Sequence, residues 1–512
     1  MYAGSEWQAL MRSNMEDGRL IVVSNREPFT HEHAGGEIKC TQPAGGLTAA
    51  LHPLLSSWRG TWIAHGSGAA DREVVDRRSR IMVPPERPAY TLRRVWLPER
   101  QQREYYSGLA NRGLWPLCHN VYQRPRFCAG EWESYREVNA IFARAVLEEA
   151  GDEPCVVFVQ DYHLALVPRM LRNRHRGLKI VQFWHIPWPS AETFAAFPWK
   201  EELLDGMLGN DLVGFHLNRH CANFLASVDE ASEALVDREG ARIVGENNVT
   251  VVRDFPIGLD FEAHCETARS AKTCAAIEQW RRQIGPGVRV GIGIDRIDYT
   301  KGIPERLRGL DLFLERNSEW REKLVFIQVG APSRTEIPEY RLLANEIDRE
   351  VARVNRRWRT ARWQPIHFLR HSLPPEETIA LHRIADFCLV TALHDGMNLV
   401  AKEFIASRSD LDGALILSQF AGASNELASA VTVNPFSEDE IAEAISTALH
   451  LSPVERRQRM ARMRAAVQKN DVYRWAADIM STLAHVERWG GRAAALRAGQ
   501  GAAAGLARVS WG

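Results

Sequence analysis

The chain has 512 residues, too long for one hydrophobic core, so two large domains are expected. Lys plus Arg and Asp plus Glu each number 64, and a formal net charge of zero argues against a nucleic-acid binder that works through a strong basic field. The cysteines (Cys40, Cys118, Cys128, Cys155, Cys221, Cys265, Cys274, Cys388) form no Cys-x-x-Cys pair. No apolar core follows a basic N-terminal stretch, and no apolar run approaches membrane-spanning length. A soluble, cytoplasmic enzyme with reduced thiols, no membrane partner and no nucleic-acid partner is the expectation.

Residues 1–17 read as a polar leader. Strand-like apolar runs then follow at Leu20–Ser24, Val156–Val159, Lys179–Trp184, Leu212–Phe215 and Val249–Val252. The second half offers Val288–Ile294, Leu324–Val329, Ile366–Leu369, Phe387–Thr391, Ala414–Leu417 and Val431–Val433. Helical patterns lie between them, among them Glu133–Glu149, Pro304–Arg316 and Glu438–His450. Continuous rather than alternating apolar strands, separated by helices, predict an α/β chain with two parallel sheets covered on both faces. The domain boundary is placed near residue 262, giving Rossmann-like domains over 18–262 and 263–455. A charged amphipathic helical stretch runs to Trp489, and the Ala-, Gly- and Arg-rich tail 490–512 is expected to be disordered.

Open parallel sheets bind ligands beyond the carboxyl ends of their strands, so the polar residues there are the candidates. After the first strand come Ser24-Asn25-Arg26-Glu27, then a glycine turn at Ala44-Gly45-Gly46-Leu47. Later strands deliver Gln160-Asp161-Tyr162-His163 and His185-Ile186-Pro187-Trp188-Pro189. The second half delivers Asp295 to Gly302, then Gly330-Ala331-Pro332-Ser333-Arg334, and later Ser418-Gln419-Phe420-Ala421-Gly422. The most informative string is Asp386–Glu403: a buried strand, a turn carrying Asp395 and Gly396, and a helix from Leu399. The free N–H groups of that helix suit an anionic or polar ligand, and Glu403 lies where it can grip a hydroxyl.

The charges sort by sign. Arg26, Arg296, Lys301 and Arg334 are cations, and Asp161, Asp395 and Glu403 are anions. Arg and Lys beside a helix N-terminus suit a diphosphate, whereas any one of these cations taken singly is a surface ion pair of little worth. Arg26 and Arg334 suit a second anion such as a sugar phosphate. His163 reads as a hydrogen-bonded structural histidine, and Trp188 as core. Tyr106 and Trp115 are compatible with core as well.

The full motif set resembles the trehalose-6-phosphate synthase family, retaining glycosyltransferases of the GT-B fold, in which two Rossmann-like domains face each other across a cleft. It runs from about Arg19 to about Trp489. Val-Ser-Asn-Arg (23–26), Ala-Gly-Gly-Leu (44–47), Tyr-Tyr (105–106), Leu-Trp-Pro (114–116) and Gln-Arg-Pro (123–125) carry it. So do Asp-Tyr-His-Leu (161–164), His-Ile-Pro-Trp-Pro (185–189) and Arg-Ile-Asp-Tyr-Thr-Lys-Gly (296–302). Ala-Pro-Ser-Arg (331–334), Asp-Gly-Met-Asn-Leu-Val-Ala-Lys-Glu (395–403) and Ser-Gln-Phe-Ala-Gly (418–422) complete it.

The resemblance implies glucose transfer from a nucleotide sugar, commonly UDP-glucose, to glucose 6-phosphate in trehalose biosynthesis, with a separate trehalose-phosphate phosphatase acting downstream. It places Arg296 and Lys301 on the donor diphosphate, and Asp395 with Met397, Asn398, Leu399 and Val400 on the transferred glucose and phosphates. Glu403 falls on the ribose, Gly46 lies against the donor, His185 contacts the donor sugar, and Asp161 sits where donor and acceptor meet. Arg26, Tyr106, Trp115 and Arg334 fall on the acceptor, the arginines on its phosphate. The helix over 456–489 is expected to pack back on the N-terminal domain.

Retention without an obvious paired nucleophile points to front-face attack, with the leaving diphosphate taking the proton; Asp161 as covalent nucleophile is the weaker alternative. With neither an Asp-x-Asp strand end nor a ligand-spaced His/Cys cluster, no metal and no other cofactor is expected. The sequence is compatible with a homo-oligomer. His65 stands where the family usually has Trp, and His394 where Arg commonly precedes Asp-Gly-Met-Asn. The Thr30–Cys40 loop is longer than in minimal members. Glycerol 3-phosphate as acceptor is therefore the alternative (glucosylglycerol-phosphate synthase), and a non-catalytic sugar-phosphate sensor is a second. A nicotinamide oxidoreductase would need a Gly-x-Gly-x-x-Gly turn after the first strand of a domain, and neither half has one.

Overall fold

The computed structural model describes residues 19–42, 46–58, 60–245 and 248–486. The expected leader, the tail 490–512, and Ala44 and Gly45 of the glycine turn lie outside them. The chain divides into two compact units. The N-terminal unit holds described residues 19–118, 124–255 and 475–486, and the C-terminal unit holds 119–123 and 256–474. The division at Phe255 precedes the boundary expected near residue 262.

The N-terminal unit is built on ten strands. They are β1 (Arg19–Ser24), β4 (Thr61–His65), β5 (Arg80–Val83), β6 (Tyr90–Val95), β7 (Cys155–Gln160), β8 (Lys179–Phe183), β9 (Leu212–Phe215), β10 (Leu235–Asp237), β11 (Arg242–Val244) and β12 (Val249–Asp254). A separate hairpin, β2 (Thr30–Ala34) and β3 (Glu37–Thr41), turns at Gly35 and Gly36, both at positive φ. The loop expected over Thr30–Cys40 is thus a hairpin, its Gly-Gly turn supplying the left-handed backbone that a tight reversal requires. The main sheet runs β10-β11-β12-β9-β8-β7-β1-β4-β6-β5. From β1 the chain builds outward through β4 and β6, then returns to build through β7, β8, β9 and β12 on the other side. The order therefore reverses between β1 and β7, which pair in parallel. Every residue of β7 and β9 is buried, as continuous apolar runs require.

The C-terminal unit holds β13 (Arg289–Arg296), β14 (Leu324–Ala331), β15 (Ile366–Leu369), β16 (Phe387–Val390), β17 (Ala414–Ser418) and β18 (Val431–Val433). They pair in parallel in the order β15-β14-β13-β16-β17-β18, the doubly wound order whose switch point lies between β13 and β16.

The C-terminal stretch is divided. The helix Pro453–Lys469 stays with the C-terminal unit, where Arg464 donates to the carbonyls of Ile405 and Ala406. Only from residue 475, within a helix over 472–486, does the chain join the N-terminal unit; there Trp475 packs on Phe158 and Phe183. The expectation that residues 456–489 pack as a whole on the N-terminal domain is corrected accordingly, and residues 487–489 lie outside the described ones. Among the described residues, no helix is long and apolar enough to cross a membrane.

Candidate active site

The C-terminal unit gathers one cluster at its switch point. Beyond the end of β13, Gly302 takes φ 62°, and a Cβ there would stand 2.2 Å from the Thr391 carbonyl oxygen at the end of β16. Only glycine lets the two strand ends approach so closely. Thr391 Oγ1 donates to the Gly302 carbonyl at 2.9 Å, and the approach sets Lys301 against the β16 loop. There Lys301 Nζ donates to Asp395 Oδ2, both side chains being largely buried. Burial alone would push the Asp395 carboxyl up. The Lys301 ammonium, with help from His119 and Asn398, outweighs it and holds the group below its ordinary value.

Asn398, at φ 74°, serves two purposes. Its Oδ1 accepts from the Ala401 N–H at 3.2 Å, capping the helix Leu399–Ser407, while its Nδ2 donates to Asp395 Oδ2 at 3.1 Å. The preceding backbone is pinned from the other side. Ala423 donates to the Met397 carbonyl at 2.8 Å, and a Cβ on Gly422 would lie 2.0 Å from the Gly396 oxygen. The Met397–Val400 backbone is thereby fixed with the first N–H groups of the helix facing past the strand ends, a built anion-binding geometry.

Two charged groups stay without a protein counter-group among the described residues. Arg296, half-buried at the end of β13, makes no hydrogen bond or ion pair, although its charge helps keep Asp298 ionised. Glu403, one turn into the capped helix, has its carboxyl pushed up to about 7 by burial. Arg334 is different. At φ 50° it donates to Asp298 Oδ2 at 3.1 Å and to the Tyr340 hydroxyl, so this expected acceptor cation is already tied to a buried carboxylate.

The N-terminal unit gathers a second cluster around the ends of β7 and β8. Asp161 is held at φ 68° and ψ 178°, a conformation that costs a non-glycine residue on the order of 1–3 kcal/mol. Its Oδ1 accepts from the His185 backbone N–H at 3.1 Å. His185 Nε2 lies 2.9 Å from Gln160 Oε1, and burial lowers its pKa to about 3, so the ring is neutral at physiological pH. Tyr106, on a π-helical stretch Arg103–Leu114, stacks on His163 at 5.5 Å, and Trp115 packs against Tyr162 at 5.9 Å. Asp161, His185, Tyr106 and Trp115 thus surround one turn. Arg26 is exposed at the end of β1, on the other side of this unit's switch point. Gly46 opens the helix Gly46–Trp58.

Two residues at the sites were not among those expected. Asp298 is the buried carboxylate that holds Arg334, and its place inside the motif 296–302 was the available signal. His119, whose carbonyl accepts from His394 Nδ1, belongs to the C-terminal unit although its neighbours in sequence belong to the other. Among the described residues, no group of three or more His, Cys, Asp or Glu side chains is arranged to hold a metal ion.

A doubly wound parallel sheet whose switch point carries Arg296, Lys301 and a capped helix start defines a class of protein that binds an anionic ligand such as a diphosphate there. A family model, glycosyltransferase family 20, matches residues 18–485, and the chain belongs to that family. A trehalose-6-phosphate synthase of Mycolicibacterium vanbaalenii is 38% identical over 477 residues, covering 91% of this chain and 96% of the relative. A solved α,α-trehalose-phosphate synthase (UDP-forming) of Burkholderia xenovorans, in complex with glucose-6-phosphate, aligns at TM-score 0.81 and 29% identity, covering 91% of this chain and 100% of that one. An E. coli structure bound with UDP-2-fluoro glucose aligns at TM-score 0.81 and 30% identity, covering 91% of this chain and 99% of that one. The fold is GT-B, as in these structures.

Proposed function

We propose that the chain is an α,α-trehalose-phosphate synthase (UDP-forming), transferring glucose from UDP-glucose to glucose 6-phosphate with retention at the anomeric carbon, in the cytoplasm. The observation that carries the reading is the switch-point cluster of the C-terminal unit: Arg296, unpaired among the described residues, a Lys301–Asp395 pair and a helix start locked by Asn398. Arg296 and Lys301 take the diphosphate, and the Met397–Val400 backbone with Asp395 takes the phosphates and the transferred glucose. Glu403 accepts from the ribose hydroxyls. Gly46 lies against the donor.

Arg26, Tyr106, Trp115 and Arg334 take the acceptor. His185, neutral, offers a hydrogen bond to the donor sugar, and Asp161 orients the reacting hydroxyl. The departing diphosphate oxygen accepts the proton of the incoming hydroxyl as the glucosyl bond to it breaks. Positive charge from Arg296 and Lys301 stabilises that leaving group, so the reading requires no metal and no other cofactor.

The test is product analysis by mass spectrometry and NMR in the presence of chelator. UDP-, ADP- and GDP-glucose would each be offered with glucose 6-phosphate or glycerol 3-phosphate. α,α-Linked trehalose 6-phosphate, fastest from UDP-glucose, is the expected product. Glucosylglycerol phosphate would move the acceptor assignment, and no product from any pair would overturn the catalytic reading.

A further inference from the structure

Beneath the exposed Arg26 lies a buried ion cluster that the reaction does not use directly. Its centre is Arg94 on β6, whose side chain is 0% exposed. Arg94 Nε donates to Glu27 Oε2 at 2.7 Å, and Nη2 lies 2.7 Å from Asp71 Oδ1. Nη2 also donates to the Phe29 carbonyl at 3.0 Å. His31 Nδ1 lies 2.9 Å from Nη2 and 3.2 Å from Asp71 Oδ1; burial first, and the Arg94 charge next, lower the His31 pKa against the pull of Asp71.

The carboxylates that Arg94 holds in turn fix two loops. Glu27 Oε1 accepts from the Ser67 N–H at 2.7 Å and from its hydroxyl at 2.9 Å. Asp71 accepts from the Gly68 N–H at 2.7 Å and from the His31 N–H at 2.8 Å, and Ala70 donates to the His31 carbonyl at 2.9 Å. One guanidinium therefore ties together the segment after β1, the root of the β2–β3 hairpin and the Gly66–Asp71 segment after β4. Arg26 itself is held on its other side as well: Ser24 Oγ donates to its carbonyl at 2.5 Å while accepting from Trp62 Nε1 at 2.8 Å.

We infer that Arg94 is a positioning residue for the acceptor. Through Glu27 and Asp71 it sets the strand ends of β1 and β4, with Arg26 and His65 on them, as one preformed wall. The inference rests on the reading of Arg26 as a ligand of the acceptor phosphate. A forked guanidinium is required, because a lysine ammonium reaches one carboxylate but cannot span both and the Phe29 carbonyl.

The test is steady-state kinetics of Arg94→Met, Arg94→Lys and Glu27→Gln, with calorimetric titration of UDP and thermal melts alongside. Loosening a wall without removing its charge is expected to raise the acceptor KM about ten-fold in R94M, less in R94K, and about three-fold in E27Q. UDP affinity should stay within about two-fold, since Arg296, Lys301 and Glu403 lie in the other unit. E27Q keeps the Arg94–Asp71 pair and most of the packing, so it serves if R94M does not fold. An unchanged acceptor KM in E27Q and R94K would overturn the inference, as would acceptor and UDP affinities falling together with the melting temperature. Arg26→Ala separates the two readings. If it leaves the acceptor KM unchanged, the acceptor assignment fails; if it raises that KM while the Arg94 and Glu27 variants do not, only the positioning role fails.

Discussion

Glu403 is a buried carboxyl with no counter-group among the described residues, and this has a consequence that is measurable. Burial raises its pKa from 4.5 to about 7. Between those values the folded state holds a proton that the unfolded state has released. The group's contribution to stability is therefore fullest below about pH 4.5 and is lost as the pH rises through about 7, a swing of about 3 kcal/mol. Hydroxyls donated by a ribose would relieve that penalty, so the donor should bind the ionised form. Free-enzyme kcat/KM for UDP-glucose, with glucose 6-phosphate saturating, should then fall on the acid side of pH 7 and reach about a tenth of its plateau near pH 6. The diphosphate of a nucleotide sugar is a diester and does not titrate in that window. His185, neutral above about pH 4, adds no inflection there. Glu403→Gln should flatten the profile and lower the plateau by about ten- to a hundred-fold, the worth of a hydrogen bond to a charged group. The same variant should melt higher than the native chain at pH 8 and match it near pH 5. A native profile without the inflection, or an identical inflection in the Gln variant, refutes the reasoning.

Arg296→Ala should lower turnover about a hundred- to a thousand-fold while leaving the melting temperature nearly unchanged, since the guanidinium makes no hydrogen bond or ion pair among the described residues; near-normal rates would remove it from the diphosphate. Lys301→Ala should cost comparable turnover and also about 3 kcal/mol of stability in denaturant titrations, because it leaves the Asp395 carboxylate buried without its cation. Adding Asp395→Asn should restore the stability and not the turnover; restoration of both would make the pair merely structural. Asp161→Asn keeps an oxygen to accept the His185 N–H, so its melting curve should hold while turnover falls about a hundred-fold, and retained activity would exclude a role for the carboxylate in the reaction.

The strands that were legible from sequence are those with continuous apolar runs. Leu212–Phe215, buried throughout, and the edge strand Ile366–Leu369, in which His367 is exposed, fall where the pattern put them, and the buried Phe387–Val390 stops one residue short. The strand Tyr90–Val95 was not legible, because Arg93 and Arg94 stand in its centre and read as solvent-facing. In the fold, Glu149 and Glu148 cover Arg93, and Glu27 and Asp71 neutralise Arg94, partners far away in sequence. Thr61–His65 was too short and too mixed to read, although every residue in it is buried. At the site, the strand-end rule found the charges but not their pairing. Arg296 and Lys301 look equivalent in sequence, yet a glycine-permitted approach of β13 to β16 gives Lys301 a carboxylate, while among the described residues Arg296 has none. Arg334 looked like a free cation and is bound to Asp298, in a left-handed backbone that no local pattern announces.

The unequal pairing is itself informative about how binding energy is arranged. A cation that already holds a buried carboxylate, as Lys301 does, is fixed in place before a ligand arrives and gives little new electrostatic energy to the ground state. A cation and an anion without partners among the described residues, Arg296 and Glu403, are where a bound ligand would gain most, since each would meet a counter-group on binding. They lie at the strand end of β13 and one turn into the helix after β16. A ligand with a diphosphate at one end and a vicinal diol at the other satisfies both. An inorganic phosphate or a simple sugar phosphate satisfies one and leaves the other desolvated. On the reading proposed above, selectivity for a nucleoside diphosphate group would follow from which charges the described residues leave unpaired.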